Sequence, residues 1–398
     1  MFDLIVSGGR VIDGSGSDER IADIGIRDGQ IVAIEAGLSA DAAEVIDATD
    51  RLVTPGFVDC HAHYDGQMTW DDLLEPSSSH GVTTVVTGNC GVGFAPVRPG
   101  RHEALIELME GVEDIPGAAL SEGITWEWES FPEYLDALSG RRWSMDVATQ
   151  LPHGPLRSYV RGDRPDDEAA SPDELRAMTR LVSEAIEAGA YGLSTSRTLG
   201  HRSLDGSPVP GTSAGAEELL ALGAAVASAG GGVFEVAVSG LARSDHDEIT
   251  DDELDWIGRV ATETGLTTTF IVLQVHNAPE RWRSQMDAAA AWRARGAHVV
   301  PLIAGRPFAT LWGWDVRHPF LARPSYRELA GLPLPARLEQ LRRSDVRHRI
   351  LTEPDECLNV GEQRQLAYIR KILGECFPLS GVPDYEPPAE RSLASLAE

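Results

Sequence analysis

The sequence has few cysteines and no long apolar run, and each shortage excludes a class of protein. The four cysteines, Cys60, Cys90, Cys357 and Cys376, are too few and too scattered over 398 residues for a disulfide framework. No apolar run reaches the ~18 residues that a membrane-spanning helix needs. The first residues, MFDLIVSGGRVIDG, lack the basic segment and apolar core of a signal peptide. We therefore expect a cytoplasmic protein that does not associate with membranes.

Basic residues are also scarce. The chain has 34 Lys and Arg against 62 Asp and Glu, which gives a formal net charge of −28 at pH 7. A polyanion would be repelled by this charge, so we do not expect nucleic acid as a partner. The basic residues include a single lysine, Lys371. No lysine side chain can therefore contribute to a site built from the residues that precede it.

What the sequence does contain is typical of a globular enzyme with a sizeable core. Hydrophobic residues make up 42% and charged residues 24% of the chain. Residues 2–53 read as short strands with alternating apolar and polar positions, and Asp28-Gly29 is a hairpin signal. We predict a small β-domain over residues 1–53.

After Val53 the pattern changes to strands that alternate with helices. Ser171 to Glu174 and Thr250 to Glu253 have the sequence of a capping box, and Gly189 and Gly265 suit helix ends. This alternation predicts parallel βαβ units. The strand-like runs are residues 52–59, GVTTVVTGNC, SMDVATQLPHG, GAYGLSTS, GGVFEVAVSG, TTTFIVLQVH and AHVVPLIAG. Seven such strands are one short of a (β/α)₈ barrel.

Two histidines follow the first barrel strand. His61 and His63 are separated by one residue, so in an extended segment both point to the same side. Active sites of such barrels lie at the carboxyl ends of the strands. Neutral imidazole is a good zinc ligand, and catalytic zinc keeps one position open for water. The spacing therefore indicates a metal site, although two surface histidines on a loop would give the same pattern.

Several motifs together carry a family resemblance. They are DLIVSGGRVIDGSG, PGFVDCHAHYDGQ, GVTTVVTGNCGVGFAP, WEWESFPEYLDAL, PHGPLRSYVRG and GAYGLSTSRTLGHRSLDGSPVPG. In this order they resemble the amidohydrolase superfamily, and more closely its N-acyl-D-amino-acid deacylase (D-aminoacylase) branch. The resemblance implies a metal-dependent hydrolase of carbon–nitrogen bonds other than peptide bonds. It also implies one or two Zn²⁺ ions and a small N-acyl amino acid or amide as substrate.

The resemblance also implies an α/β fold. A small composite β-domain (1–53) would accompany the amidohydrolase (β/α) barrel, with seven of its eight strands in residues 54–305. Residues 306–398 would form a C-terminal part of the barrel domain made of helices and loops. The oligomeric state is not indicated by the sequence.

Further metal ligands are implied by the same resemblance. The family places a ligating cysteine at Cys90 in TGNCG, although a buried cysteine can also serve as a small hydrophobe. Many amidohydrolases bridge two metals with a carboxylated lysine, which this chain lacks before Lys371. Glu235 occupies the place of a histidine on the fifth strand, and His276 lies near that of the sixth. Glu235 could instead pair with an arginine, and His276 could simply bond a loop carbonyl.

Other polar residues fall near the expected mouth of the barrel. Arg197 could bind a substrate carboxylate, because guanidinium forms paired hydrogen bonds with carboxylates. Tyr191 and His201 are further candidates for substrate contact. Asp65 could accept a proton from a ligand histidine, and His153 is expected to orient a neighbouring loop.

The catalytic aspartate that the family carries on its eighth strand is not found. Residues 306–398 read as helices and loops, and Asp315 follows no convincing strand. Related chains continue to the missing strand. We therefore expect these 398 residues alone to form an incomplete barrel, open between its first and seventh strands, with little or no activity.

Three functions remain open from the sequence. The first is an N-acyl-D-amino-acid deacylase, and the second is a hydrolase of cyclic amides or imides. A free substrate carboxylate needs a cation in the pocket, so Arg197 distinguishes the two. The third is a catalytically silent or truncated member that acts only as a binding or oligomeric protein.

Overall fold

The structure is a computed structural model and forms two compact units. It describes residues 1–38, 41–162, 164–240, 251–274, 278–305, 311–314, 318–357, 360–379, 381–382 and 384–398. Unit 1 comprises Met1–Cys60, Leu73–Val85 and Trp143–Val147, and unit 2 comprises His61–Asp72, Val86–Arg142 and Ala148–Glu398. The predicted domain boundaries after residues 53 and 305 stay predictions.

Strands and helices alternate through most of the chain. The strands are β1 (Phe2–Val11), β2 (Arg20–Arg27), β3 (Gln30–Glu35), β4 (Ala42–Asp47), β5 (Leu52–Val53), β6 (Phe57–Asp59), β7 (Val82–Thr87), β8 (Asp146–Thr149), β9 (Leu151–Pro152), β10 (Gly192–Ser196), β11 (Val233–Ala237), β12 (Thr267–Ile271) and β13 (Val299–Leu302). The α-helices are α1 (His102–Glu113), α2 (Gly117–Gly123), α3 (Phe131–Ser139), α4 (His153–Arg161), α5 (Pro172–Ala188), α6 (Ala216–Ser228), α7 (Asp251–Thr264), α8 (Arg281–Ala294), α9 (Pro324–Ala330), α10 (Leu334–Arg342), α11 (Ser344–Thr352), α12 (Val360–Lys371) and α13 (Leu393–Ala397).

Unit 1 contains a five-stranded mixed sheet. Its order is β3-β2-β1-β4, and β5 pairs with β1. The β2–β3 hairpin turns at Asp28 and Gly29, whose φ angles are 51° and 71°. Two left-handed residues in a two-residue loop match the right-handed twist of the flanking strands, which is why this dipeptide predicts the hairpin. The expectation of a small β-sheet near the N-terminus is confirmed.

The first predicted barrel strand consists of two separate strands in the structure. The segment 52–59 was expected to be the first barrel strand, but β5 pairs with β1 and β6 pairs with β7. Thr54, Pro55 and Gly56 separate them. Proline has no backbone N–H to donate to a sheet, and it ends a strand readily. The first barrel strand is therefore the short β6, and His61 and His63 follow its carboxyl end.

The parallel strands of the barrel have the predicted order. One sheet runs β6-β7-β8, and the other runs β13-β12-β11-β10-β9 with parallel pairing throughout. β8 and β9 belong to one predicted strand that is interrupted at Gln150. The described residues thus supply seven barrel strands, and in them β6 and β13 each pair with a single neighbour. The low activity expected of such a barrel stays a prediction.

Local helix signals are confirmed where the structure describes them. Ser171 accepts a hydrogen bond from the Glu174 N–H, and the Glu174 side chain bonds the Ser171 backbone, which completes a capping box at α5. That helix ends at Gly189 in the left-handed conformation. Gly265, with φ 75°, follows α7. Thr250, the other predicted cap, lies outside the described residues.

Beyond β13, the described part of the chain is helical and irregular, as the sequence indicates. The buried residues Tyr326, Leu341, Val346 and Ile350 form a small apolar cluster around α9, α10 and α11. His276 and Asp315 both lie outside the described residues. Within those residues, no helix combines the length and apolar character needed to cross a bilayer.

Candidate metal centre

The two histidines after β6 meet a cysteine from the turn after β7. His61 Nε2 lies 3.2 Å from Cys90 Sγ, and the two imidazole rings are 5.4 Å apart at their centroids. One donor atom from each of His61, His63 and Cys90 lies within 4.8 Å of the others. Both elements end at the same side because β6 and β7 are parallel neighbours. The structure therefore brings these three predicted ligands together.

Cys90 is held in an unusual backbone conformation. Its φ of 56° is left-handed, and such strain in a non-glycine residue persists only where its surroundings fix it. Its own N–H donates to Glu235 Oε2 at 2.9 Å. The Gly91 N–H donates to Ser194 Oγ at 3.0 Å, and that hydroxyl donates to the Gly88 carbonyl. Side chains of β10 and β11 thus hold the backbone of the turn that carries the Cys90 thiol.

Glu235 is buried between Cys90 and His61. It is 1% exposed, and burial raises its pKa to about 8. Its Oε1 lies 3.7 Å from His61 Nδ1 and has no hydrogen-bond partner among the described residues. A carboxylate behind a ligating histidine orients the ring and increases its basicity. This position supports that role, and direct ligation by Glu235 stays a prediction.

Two further donor groups come from elements that no sequence motif connects. Glu113 ends α1, and its Oε1 lies 3.3 Å from His63 Nε2. His201 follows β10, and its Nδ1 lies 3.0 Å from Ser196 Oγ. Donor atoms of Cys90, Glu113 and His201 lie within 4.8 Å of one another. The sequence predicts that His201 contacts the substrate. It does not single out Glu113, which no local motif marks.

Asp65 also holds the turn that carries Cys90, through a hydrogen bond to Gly88. Its Oδ1 accepts a hydrogen bond from the Gly88 N–H at 2.8 Å, and its backbone carbonyl accepts from the Tyr134 hydroxyl at 2.9 Å. The residue is 2% exposed, and burial raises its pKa to about 7. Its Oδ2 has no hydrogen-bond partner in the described chain. The Asp65 carboxyl thus accepts its hydrogen bond from the Gly88 N–H. That Asp65 supports a ligand histidine stays a prediction.

His153 belongs to a buried polar network. Its Nδ1 lies 2.9 Å from Thr195 Oγ1 and its Nε2 3.0 Å from Glu218 Oε1, to which Arg157 also donates. A Cβ on Gly211 would come within 2.6 Å of His153 Nδ1, and Gly211 has a φ of 103°. Only glycine fits this approach, so His153 packs against the loop that follows β10. The expected role of His153 in orienting a loop stays a prediction.

The two remaining candidates lie differently. Arg197 donates to the carbonyls of Thr212 and Ala214 at 2.6 Å each, and its Nε lies 3.5 Å from Glu253. These contacts indicate that it holds the loop; its binding of a substrate carboxylate stays a prediction. Tyr191 is 48% exposed and precedes the first residue of β10, at the opposite end of that strand from Ser196. The structure does not bring Tyr191 to the cluster.

The donor set fits a transition-metal ion. Burial lowers the pKa of His61 to about 3 and that of His63 to about 4, so both imidazoles are in the neutral form that binds metal. Burial and neighbouring carboxylates, Glu235 first among them, raise the pKa of the Cys90 thiol. His63 Nδ1 is buried without a hydrogen-bond partner in the described residues. Imidazole and thiolate ligands with carboxylates behind them suit zinc best among common biological cations.

Known proteins resemble this chain over most of its length. A sequence profile of the Amidohydrolase family matches residues 44–357. A D-aminoacylase of Alcaligenes xylosoxydans xylosoxydans is 38% identical over 194 residues, which are 49% of this chain and 37% of that protein. An N-acyl-D-glutamate deacylase of the same organism is 35% identical over 302 residues, covering 75% of this chain and 55% of that protein.

A solved structure shows the same fold. The N-acyl-D-glutamate deacylase of Bordetella bronchiseptica, in complex with zinc and a phosphonate mimic of the tetrahedral intermediate, superposes with a TM-score of 0.60. It is 29% identical, and the match covers 77% of this chain and 59% of that one. The chain therefore spans about half the length of the curated relatives that it matches. With most of its residues matched, this chain belongs to the amidohydrolase family.

Proposed function

We propose that this protein is a zinc-dependent hydrolase that cleaves the amide bond of small N-acyl-D-amino acids. The observation that carries the proposal is the convergence of His61, His63 and Cys90, whose donor atoms lie within 4.8 Å of one another. The relatives named D-aminoacylase and N-acyl-D-glutamate deacylase support the substrate class. The cytoplasmic location expected from the sequence stays a prediction.

Each residue of the centre has a part in this reaction. His61, His63 and Cys90 would hold the ion, which would polarise the substrate carbonyl as a Lewis acid and lower the pKa of a bound water to ~7. Glu235 fixes the direction of Cys90 through its backbone N–H and faces His61 Nδ1. These contacts keep two ligands in place while a substrate enters.

Proton transfer also needs a carboxyl near the ion. Burial raises the pKa of Asp65 and of Glu113 to about 7, against usual values near 4. A carboxyl with a pKa near the working pH can take a proton from water and return it to a leaving nitrogen. Glu113, whose Oε1 lies 3.3 Å from His63 Nε2, is a candidate for the part that the resemblance gives to an aspartate on the eighth strand.

An activity screen tests the substrate class. The zinc-loaded protein is assayed against N-acetyl-D-amino acids, their L-enantiomers and cyclic amides, with and without a chelator. We expect turnover of the D-series that the chelator abolishes. Turnover of cyclic amides alone would show that the substrates are cyclic amides and not N-acyl-D-amino acids. Activity that survives complete metal removal would contradict a metal-dependent hydrolase.

Metal analysis tests the ligands. Replacing both His61 and His63 with alanine should remove most of the zinc at this position, because two of three protein ligands are lost. His80→Ala with His348→Ala is the matched control, since both of these histidines are exposed. Full zinc stoichiometry in the first double variant would show that the assignment is wrong.

A further inference from the structure

The loop between β10 and α6, residues 197–215, is held near its carboxyl end by one carboxylate. Asp166 Oδ1 accepts a hydrogen bond from the Gly211 N–H at 2.6 Å, and its Oδ2 accepts from the Ser213 N–H at 3.1 Å. We propose that Asp166 is a positioning residue, which holds this loop and through it places His201 beside the metal centre. The inference rests on the proposed function, because His201 is a candidate for substrate contact.

Asp166 is itself held by a buried arginine. Arg157 is 1% exposed, and its Nη1 donates to the side chain of Asp166 and, at 3.0 Å, to the carbonyl of the same residue. Arg157 Nε donates to Glu218 Oε1 at 3.0 Å, and His153 Nε2 lies 3.0 Å from that oxygen. A guanidinium holds its partners in a fixed geometry because its donors form a rigid planar fork. The Asp166 carboxylate therefore has a defined position from which to bind the loop.

The same segment of the loop is also bound by a side chain of the opposite charge. Arg197 Nη1 donates to the carbonyls of Thr212 and Ala214 at 2.6 Å each, whereas Asp166 accepts from N–H groups. Residues 211–214 belong to no strand or helix, so these side chains take the place of a backbone partner. Hydrogen bonds with one ionised partner are roughly twice as strong as neutral ones. Without Asp166, the two N–H groups would lose the acceptor that fixes them.

Backbone contacts connect the held segment to His201. The Val209 N–H donates to the His201 carbonyl at 3.4 Å, and Arg202 and Pro208 form an antiparallel bridge. A displacement of residues 209–213 would therefore move His201 relative to the metal centre. A misplacement of a binding group by ~1 Å can lower activity about 100-fold, so the hold that Asp166 has on the loop bears on the reaction.

Variants of two adjacent carboxylates test the proposal. Asp166→Ala removes both acceptor oxygens, and Asp166→Asn keeps the size of the side chain and one acceptor oxygen without the charge. Asp167→Ala is the matched control, because Asp167 is the next residue in the chain and is exposed. Circular dichroism establishes that each variant is folded. Asp166→Asn takes the place of the alanine variant in the comparison if that variant does not fold.

Two measurements separate the hold on the loop from its effect on the reaction. Hydrogen–deuterium exchange of peptides that cover residues 209–214 reports the first without an activity readout, and steady-state kinetics on an N-acetyl-D-amino acid report the second. We expect Asp166→Ala to accelerate this exchange about tenfold or more and to raise KM by a similar factor. The value of kcat and the zinc content should change less than about twofold, since His61, His63 and Cys90 lie outside the loop. Asp166→Asn should give intermediate values.

The outcomes distinguish this inference from the proposed function. Equal exchange in the Asp166 variants and in Asp167→Ala would show that Asp166 does not hold the loop, and the inference would be overturned. Faster exchange with an unchanged KM would also overturn it, since the held loop would then position nothing for the reaction. No turnover by the unmodified chain would overturn the proposed function, while faster exchange in Asp166→Ala would still support the hold of Asp166 on the loop.

Discussion

At the scale of single residues, Arg197 shows how a tertiary contact changes what a side chain can do. A guanidinium at the mouth of a barrel is suited to bind a substrate carboxylate. Here its Nη1 donates to two loop carbonyls, and its Nε faces Glu253, which is 5% exposed. Removing one partner of such a buried pair leaves an uncompensated charge at a cost of about 3–5 kcal/mol.

We therefore expect Arg197→Ala to lower the unfolding free energy by about 3 kcal/mol or more and to weaken activity equally on N-acyl amino acids and neutral amides. Chemical denaturation and parallel assays on both substrate classes measure this. Arg180→Ala is the control, because Arg180 pairs with Glu184 on the exposed face of α5, where ion pairs contribute ~0–1 kcal/mol. An unchanged stability with a selective loss on N-acyl amino acids would establish that Arg197 receives the substrate carboxylate.

At the scale of elements, β10 fixes the turn that carries the thiol ligand. Ser194 is fully buried, and its hydroxyl bonds both Gly88 and Gly91, the residues on either side of the Asn89-Cys90 pair. The next residues of the same strand hold other parts of the centre: Thr195 contacts His153, and Ser196 contacts His201. The short polar run at the end of this strand therefore organises the loops around it.

Ser194→Ala removes the contacts of β10 to this turn. The Gly91 N–H loses its buried acceptor, which costs about 1–3 kcal/mol of stability, and zinc affinity should fall about 10–100-fold because the thiol is less well aimed. Competition with a chromophoric zinc chelator measures the affinity. Ser183→Ala, which removes a hydroxyl contact within α5, should leave it unchanged. Equal zinc affinity in both variants would contradict a positioning role for Ser194.

At the scale of the whole molecule, the charge is strongly one-sided. A net charge of −28 opposes the compact state through self-repulsion, which salt screens. Exposed ion pairs such as Arg259–Glu263 are screened too, but each contributes only ~0–1 kcal/mol. The repulsion among the excess acidic residues therefore outweighs the lost pairs.

Added salt should accordingly stabilise the metal-free protein. We expect Tm to rise by about 1 °C for each kcal/mol of repulsion that sodium chloride relieves, as measured by differential scanning calorimetry, because the unfolding entropy of a chain of this length is large. Potassium chloride at the same ionic strength is the control and should give the same shift, since screening does not depend on which ion is used. A fall in Tm with both salts would mean that favourable ion pairs dominate.

The sequence by itself determined the features that depend on neighbouring residues. The Asp28-Gly29 hairpin, the capping box at Ser171 and the seven barrel strands follow from local turn chemistry and periodicity, and the structure shows them. The His61-His63 pair could be placed because both residues come directly after a strand. The break at Pro55 could also have been anticipated, since proline is disfavoured inside a strand.

Only the tertiary structure decided which distant side chains meet. Cys90 and Glu235 are 145 positions apart in the chain, and Arg197 meets Glu253 across another βα unit. Nothing near Glu113 in the sequence marks it as a partner of His63 and Cys90, whereas the position of α1 brings it there. Sequence periodicity and helix caps depend on residues a few positions apart. The partner of a buried charged group depends instead on how distant strands and helices pack together. The ligand motif was therefore readable from the chain, and the carboxylates that tune it were not.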